Sequence, residues 1–153
     1  MTTRELEWDC RWMRVAETYA SFSKDPSTRV GAVAVVDKRV VSAGWNGFPR
    51  GILDDERLSD RPTKYKLVVH AEMNCVFNAC HVGSSLAGST VYVSGLLVCS
   101  DCAKGLIQAG VRRVVMKVDR EPDVKWKEEF EWTVRMFGEA GIAWELWDAN
   151  RGF

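Results

Sequence analysis

Two short motifs carry most of the chemistry in this chain. His70-Ala71-Glu72 and Cys99-Ser100-Asp101-Cys102 together offer one imidazole, two thiols and one carboxylate. Three ligands of the His and Cys type leave a fourth tetrahedral position open, which is what separates a catalytic zinc site from a structural one. His70, Cys99 and Cys102 are therefore the candidate ligands of one catalytic Zn2+. An ion held there brings the pKa of water toward neutrality, so hydrolysis needs no strong base. Glu72, two residues from a ligand, is the candidate proton carrier.

Neither motif is decisive alone. Cys-x-x-Cys is also a redox pair or a structural zinc corner, and His-x-Glu is commonplace. Their placement adds weight, because both fall at expected helix starts after β-rich segments. Two cysteines in one first turn present their sulfurs to the same side, and the positive helix end favours thiolates.

The rest of the chain must bring these motifs together. Apolar residues from Glu5 to Phe22 recur with a helical period, and Ser23-Lys24-Asp25-Pro26 ends that helix. Val30–Val36 and Arg39–Ala43 are β-branched runs about Asp37-Lys38, which suits a hairpin. Gly44 to Gly51 is a glycine-rich loop, and Asp54 to Lys66 is expected to continue as a charged, irregular excursion. A helix from His70 to about Cys80, a strand at Thr90–Ser94, a helix at Ser100–Ala109 and a strand at Arg113–Val118 follow. A last helix, Val124–Ala140, sets Trp126, Phe130, Val134 and Phe137 on one face, and Ile142–Trp147 closes as a strand. The order α-β-β-α-β-α-β-α-β predicts an α/β fold, a three-layer α-β-α sandwich whose mixed five-stranded sheet carries helices on both faces. Residues 1–153 read as one domain, with no repeat or linker.

Composition narrows the partners. There are 21 basic and 21 acidic residues, so no net charge favours a polynucleotide or a membrane surface. The acidic start, Glu5, Glu7 and Asp9, is unlike a signal peptide, and no apolar run approaches a membrane span. A cytoplasmic protein is the expectation, and five cysteines in a reducing compartment favour metal over disulfides. Cys75, Cys80, His81 and Cys10 read as structural or surface residues, not as a second metal site. Trp126, Trp132, Trp144 and Trp147 suit core packing or an oligomer interface.

Beyond the two motifs, the chain resembles the deoxycytidylate deaminases within the cytidine deaminase-like superfamily. The resemblance runs from about Ala16 to Val118, through Ser23 to Ala32, Gly44-Trp45-Asn46-Gly47-Phe48-Pro49-Arg50-Gly51, Lys64-Tyr65, Val69-His70 and Met73-Asn74. Cys102-Ala103-Lys104 and Gln108-Ala109-Gly110-Val111 continue it. It implies a cytidine deaminase-like fold and conversion of dCMP to dUMP and ammonia, with Glu72 moving the protons. A homo-oligomer regulated by dCTP and dTTP with Mg2+ is implied as well. Asn46 and Ala71 match positions near the nucleotide, and Trp45 reads as packing. Lys24 and Arg29 lead the cations expected to receive a phosphate, ahead of Arg50, Arg57 and Lys64, with Tyr65 and Tyr92 weaker. Val98 departs from the family, which has Pro before the first paired cysteine, and Gly95-Leu96-Leu97 makes the approach one residue longer. That change bears on the pocket that lines the base, since Pro would fix its own backbone. Two other readings stand beside this one: a tRNA adenosine or other polynucleotide deaminase, and a non-catalytic, zinc-stabilised nucleotide-binding domain.

Overall fold

The structure, a computed structural model, describes residues 1–148. Helix α1, Thr3–Ser21, begins with a capping box in which Thr2 and Glu5 satisfy each other's backbone amides. The hairpin β1 (Gly31–Val36) and β2 (Arg39–Trp45) follows, and Asp37 and Lys38 both take positive φ at its two-residue turn. Next come a 3-10 turn, Glu56–Ser59, and helix α2, Arg61–Leu67. The remaining elements are α3 (Ala71–Val82), β3 (Thr90–Gly95), α4 (Ser100–Gln108), β4 (Arg113–Val118), α5 (Val124–Ala140) and β5 (Ala143–Leu146).

One sheet joins all five strands in the order β2-β1-β3-β4-β5, antiparallel through the first three and parallel from β3 to β5. Alternate residues face opposite layers. Val33, Val35, Tyr92 and Val115 pack on Met13 and Ala16 of α1. Ala32, Ala34, Val91, Val93, Val114 and Met116 pack on the second layer, with Ala71, Cys75, Leu106 and Phe137. The expected three-layer sandwich and mixed sheet are therefore found, with α1 on one face and α3, α4 and α5 on the other.

The irregular excursion expected from Asp54 to Lys66 is corrected, because it holds the 3-10 turn and α2. Charged residues without an apolar period hid these elements. Pro62 in the first turn of α2 and the Thr63 hydroxyl on Asp60 are their local signals. The apolar face of α5 also differs, since Thr133 is fully buried and Val134 only partly so.

Helix α3 is pressed unusually close to β2, which fixes where His70 stands. A Cβ on Gly44 would lie 2.5 Å from the Cys75 amide nitrogen, so only glycine permits this approach. Asn74 and Asn78 donate to the carbonyls of Trp45 and Ala43, both at 2.7 Å. The residue before His70 is held too, by a two-bond bridge between Gly47 and Val69.

Candidate active site

His70 and Cys99 occupy equivalent places, each the extended N-cap residue of a helix, α3 and α4. Neither uses its side chain to cap, and both turn it toward the gap between the helices. The Nδ1 of His70 lies 3.5 Å from Cys99 Sγ and 3.4 Å from Cys102 Sγ. All three ligand atoms fall within 4.8 Å of one another, and among the described residues no other trio of such atoms clusters. A tetrahedral zinc with ordinary Zn–S and Zn–N bonds separates its sulfur and nitrogen ligands by about 3.6 Å. The donor set and its spacing therefore fit zinc.

Electrostatics in this cluster follow from proximity and burial. Hydrogen bonding from Cys102, aided by His70, pulls the Cys99 thiol down to about 4. The partnership with Cys99 holds His70 up at about 9, while Cys99 and burial push Cys102 upward. Glu72 in the first turn of α3 is buried, and loss of solvent raises its pKa. A buried carboxyl beside a metal-ligating cluster is suited to holding and passing on a proton.

His70 of this cluster lines a cavity of about 580 Å³. Ala71 and Glu72 line it too, with Leu96, Leu97 and Trp126 on one wall and Asp25, Ser27, Thr28, Val30 and Asn46 on another. Arg61, Lys64 and Arg120 bring positive charge to it, beside the acidic Asp25, Glu72, Glu121 and Asp123. Lys24 and Arg29 are instead exposed and lie outside the lining. Arg50 bonds Asn78, Arg57 pairs with Asp55, and Tyr92 is buried on the α1 side of the sheet with Asp9. Tyr65 is exposed but does line the cavity.

Asn46 lines the cavity, and both ends of its amide are bound into the wall. Its Oδ1 accepts the Val30 amide at 2.9 Å, and its Nδ2 donates to Thr28 O at 2.9 Å and to Asp25 Oδ2 at 3.4 Å. Asp25, which sequence reasoning did not single out, is the hub of this wall. It is 1% exposed, accepts the Ser27 and Thr28 amides, and pairs with Lys64 at 2.7 Å. An acid directly before Pro26-Ser27-Thr28 signals such a turn, but its partner Lys64 lies on the helix that the sequence hid.

The profile of the cytidine and deoxycytidylate deaminase zinc-binding region matches residues 6–118. This chain belongs to that family. It is thus a zinc-dependent hydrolase, a deaminase of nucleotide metabolism. Mouse deoxycytidylate deaminase is 39% identical over 125 residues, covering 77% of this chain and 68% of that protein. The uncharacterized deaminase of the luxG 3' region of Aliivibrio fischeri is 36% identical over 137 residues, 89% of this chain and 90% of that one. Among solved structures, the dCMP deaminase of cyanophage S-TIM5 in complex with dCMP and dUMP superposes with a TM-score of 0.77 at 25% identity, covering 96% of this chain and 99% of that one. No described helix is long and apolar enough to cross a membrane.

Proposed function

We propose that this deaminase hydrolyses dCMP to dUMP and ammonia, with His70, Cys99 and Cys102 holding one zinc and Glu72 as the proton shuttle. The observation that carries the reading is the convergence of those three ligand atoms within 4.8 Å, with His70 and the buried Glu72 carboxyl both lining the cavity. When bound, zinc supplies Lewis-acid activation of water near neutral pH. Glu72 would carry one proton of the attacking water to the ring nitrogen beside the attacked carbon and the second, from the hydroxyl then on that carbon, to the departing amino group, so that ammonia leaves and a carbonyl remains. Trp126 and Leu97 give the base an apolar wall, and Ala71 sets the start of α3 against the cavity.

The choice of a monophosphate rests on the relatives and on charge at the cavity. Lys64 is buried there and bound to Asp25, and Arg61 and Arg120 stand exposed at the mouth. Guanidinium groups so placed suit bidentate phosphate recognition. Arg120 already bonds the Thr28 hydroxyl on the Asp25 wall. Lys24 and Arg29 remain the cations that the family resemblance favours.

Ammonia release measured across dCMP, dCTP, deoxycytidine and cytidine tests the substrate. We expect dCMP to lead, and equal turnover of deoxycytidine would overturn the monophosphate assignment. Glu72→Ala should keep its zinc and lose at least about a hundredfold in kcat; an unchanged rate would remove Glu72 from the mechanism. The homo-oligomer and the dCTP, dTTP and Mg2+ response belong to the same reading, and light scattering with and without these effectors measures both.

A further inference from the structure

Helix α5 lies beyond the matched residues 6–118, yet it grips the approach to the cysteine pair at three points. Trp126 Nε1 donates to Leu97 O at 2.8 Å. The Thr133 hydroxyl donates to Val98 O at 2.9 Å, and Glu129 accepts from both the hydroxyl and the amide of Ser100. Residues 126, 129 and 133 share one face of the helix, as their spacing requires. Their targets are the backbone of residues 97, 98 and 100, which straddles Cys99.

We propose that Thr133 and Glu129 are positioning residues for the zinc ligands, fixing the backbone on either side of Cys99 so that both thiolates face His70. The proposal rests on the reading of His70, Cys99 and Cys102 as those ligands.

The first amides of a helix lack intrahelical partners, and an N-cap side chain ordinarily serves one of them. Cys99 is the N-cap here and makes no such bond, because its sulfur is turned to His70. Glu129 serves a different one from outside, the first helical amide, Ser100, at 3.4 Å, which ties down the start of α4 without using the Cys99 sulfur. On the other side of Cys99, Val98 lacks the ring that would lock a proline backbone. Its carbonyl is held instead by Thr133, a buried hydroxyl that lies closer to Val98 O than to the carbonyl of Glu129 in its own helix, 2.9 against 3.4 Å. The approach starts from Gly95 at φ 123°, where a Cβ would strike Arg29 O at 2.5 Å. The side chains of Leu97 and Val98 are packed in the core, and the α5 anchors add the polar bonds that fix the carbonyls of these residues.

Zinc affinity separates positioning from mere packing. Zinc dissociation constants, by competition with a chromogenic chelator, and the thiolate-to-cobalt absorption of Co2+-substituted protein are compared for the wild type and Thr133→Val, Thr133→Ser, Glu129→Ala and Phe130→Leu. Thr133→Val and Glu129→Ala should bind zinc roughly tenfold more weakly and alter the cobalt band. Thr133→Ser keeps the hydroxyl and should behave as wild type, as should Phe130→Leu, a packing change on the same helix. Glu129 is half-buried, so its variant folds even if Thr133→Val does not. Wild-type zinc affinity and spectra in both Thr133→Val and Glu129→Ala would overturn the proposal alone. A wild-type protein that binds no zinc would overturn the ligand reading and this proposal with it.

Discussion

Asp25 shows how one side chain can shape a cavity that it need not serve chemically. Its carboxylate, 1% exposed, balances a Lys64 ammonium that is 8% exposed, and Asn46 is bound into the same cluster. Breaking a buried pair by removing one charge leaves the other uncompensated, whereas replacing both can be nearly neutral. Asp25→Asn keeps the side-chain shape and should cost about 3 kcal/mol in a urea titration. The double variant Asp25→Asn with Lys64→Met should recover much of that loss. If the double variant were as unstable as the two single losses added, the ion pair would not be what holds this wall. The His70, Cys99 and Cys102 cluster was legible because these residue types and their spacing are rare in combination. Asp25 was not, because an acid before Pro-Ser-Thr is ordinary until its partner 39 residues away is seen to be buried with it.

At the level of elements, legibility followed hydrophobic period. Helices α1, α3, α4 and α5 and strands β1, β3 and β4 were read because each buries apolar residues, whereas α2 has seven residues and buries only the charged Lys64. Such a helix takes its stability from tertiary contacts that no local window contains. The docking of α1 shows the same division. Its apolar residues predicted a helix, but not the polar clamp that seats it. Arg113 of β4 binds Asp9 of α1 through two bonds, at 2.9 and 2.7 Å, and also reaches Glu145 of β5, while the Tyr92 hydroxyl donates to Asp9 at 2.6 Å. Arg113→Met would leave the buried Asp9 carboxylate without its cation, at a cost of about 3 kcal/mol. The clamp lies on the sheet face opposite α3, α4 and α5, so zinc affinity should not change. Unfolding curves and a chelator competition on the one variant check both statements, and a drop in zinc affinity would show that the two layers are coupled.

For the molecule as a whole, the two buried layers make folding stability depend on alkaline pH. Burial pushes the Cys75 thiol, between α3 and the sheet, from an ordinary 9.0 up to about 12. In the other layer, burial and the neighbouring Asp9 carboxylate push the Tyr92 hydroxyl upward from 10.0. Above about pH 9 the unfolded chain therefore gives up protons that the native protein keeps. Native protein then binds more protons than the unfolded chain, and stability must fall as pH rises. The contribution is fully present below about pH 9 and is lost from there through the folded value of about 12 for Cys75, with Tyr92 adding to the decline from pH 10. Urea midpoints of the zinc-loaded protein at pH 8 and pH 10.5 should show this decline. Cys75→Ala and Tyr92→Phe lose packing or a hydrogen bond and should start lower at pH 8, but each should fall less between the two pH values than the wild type. A wild-type midpoint that stayed level would mean that water reaches these groups in the folded protein, and that the layers around the site are less tightly closed than their side chains suggest.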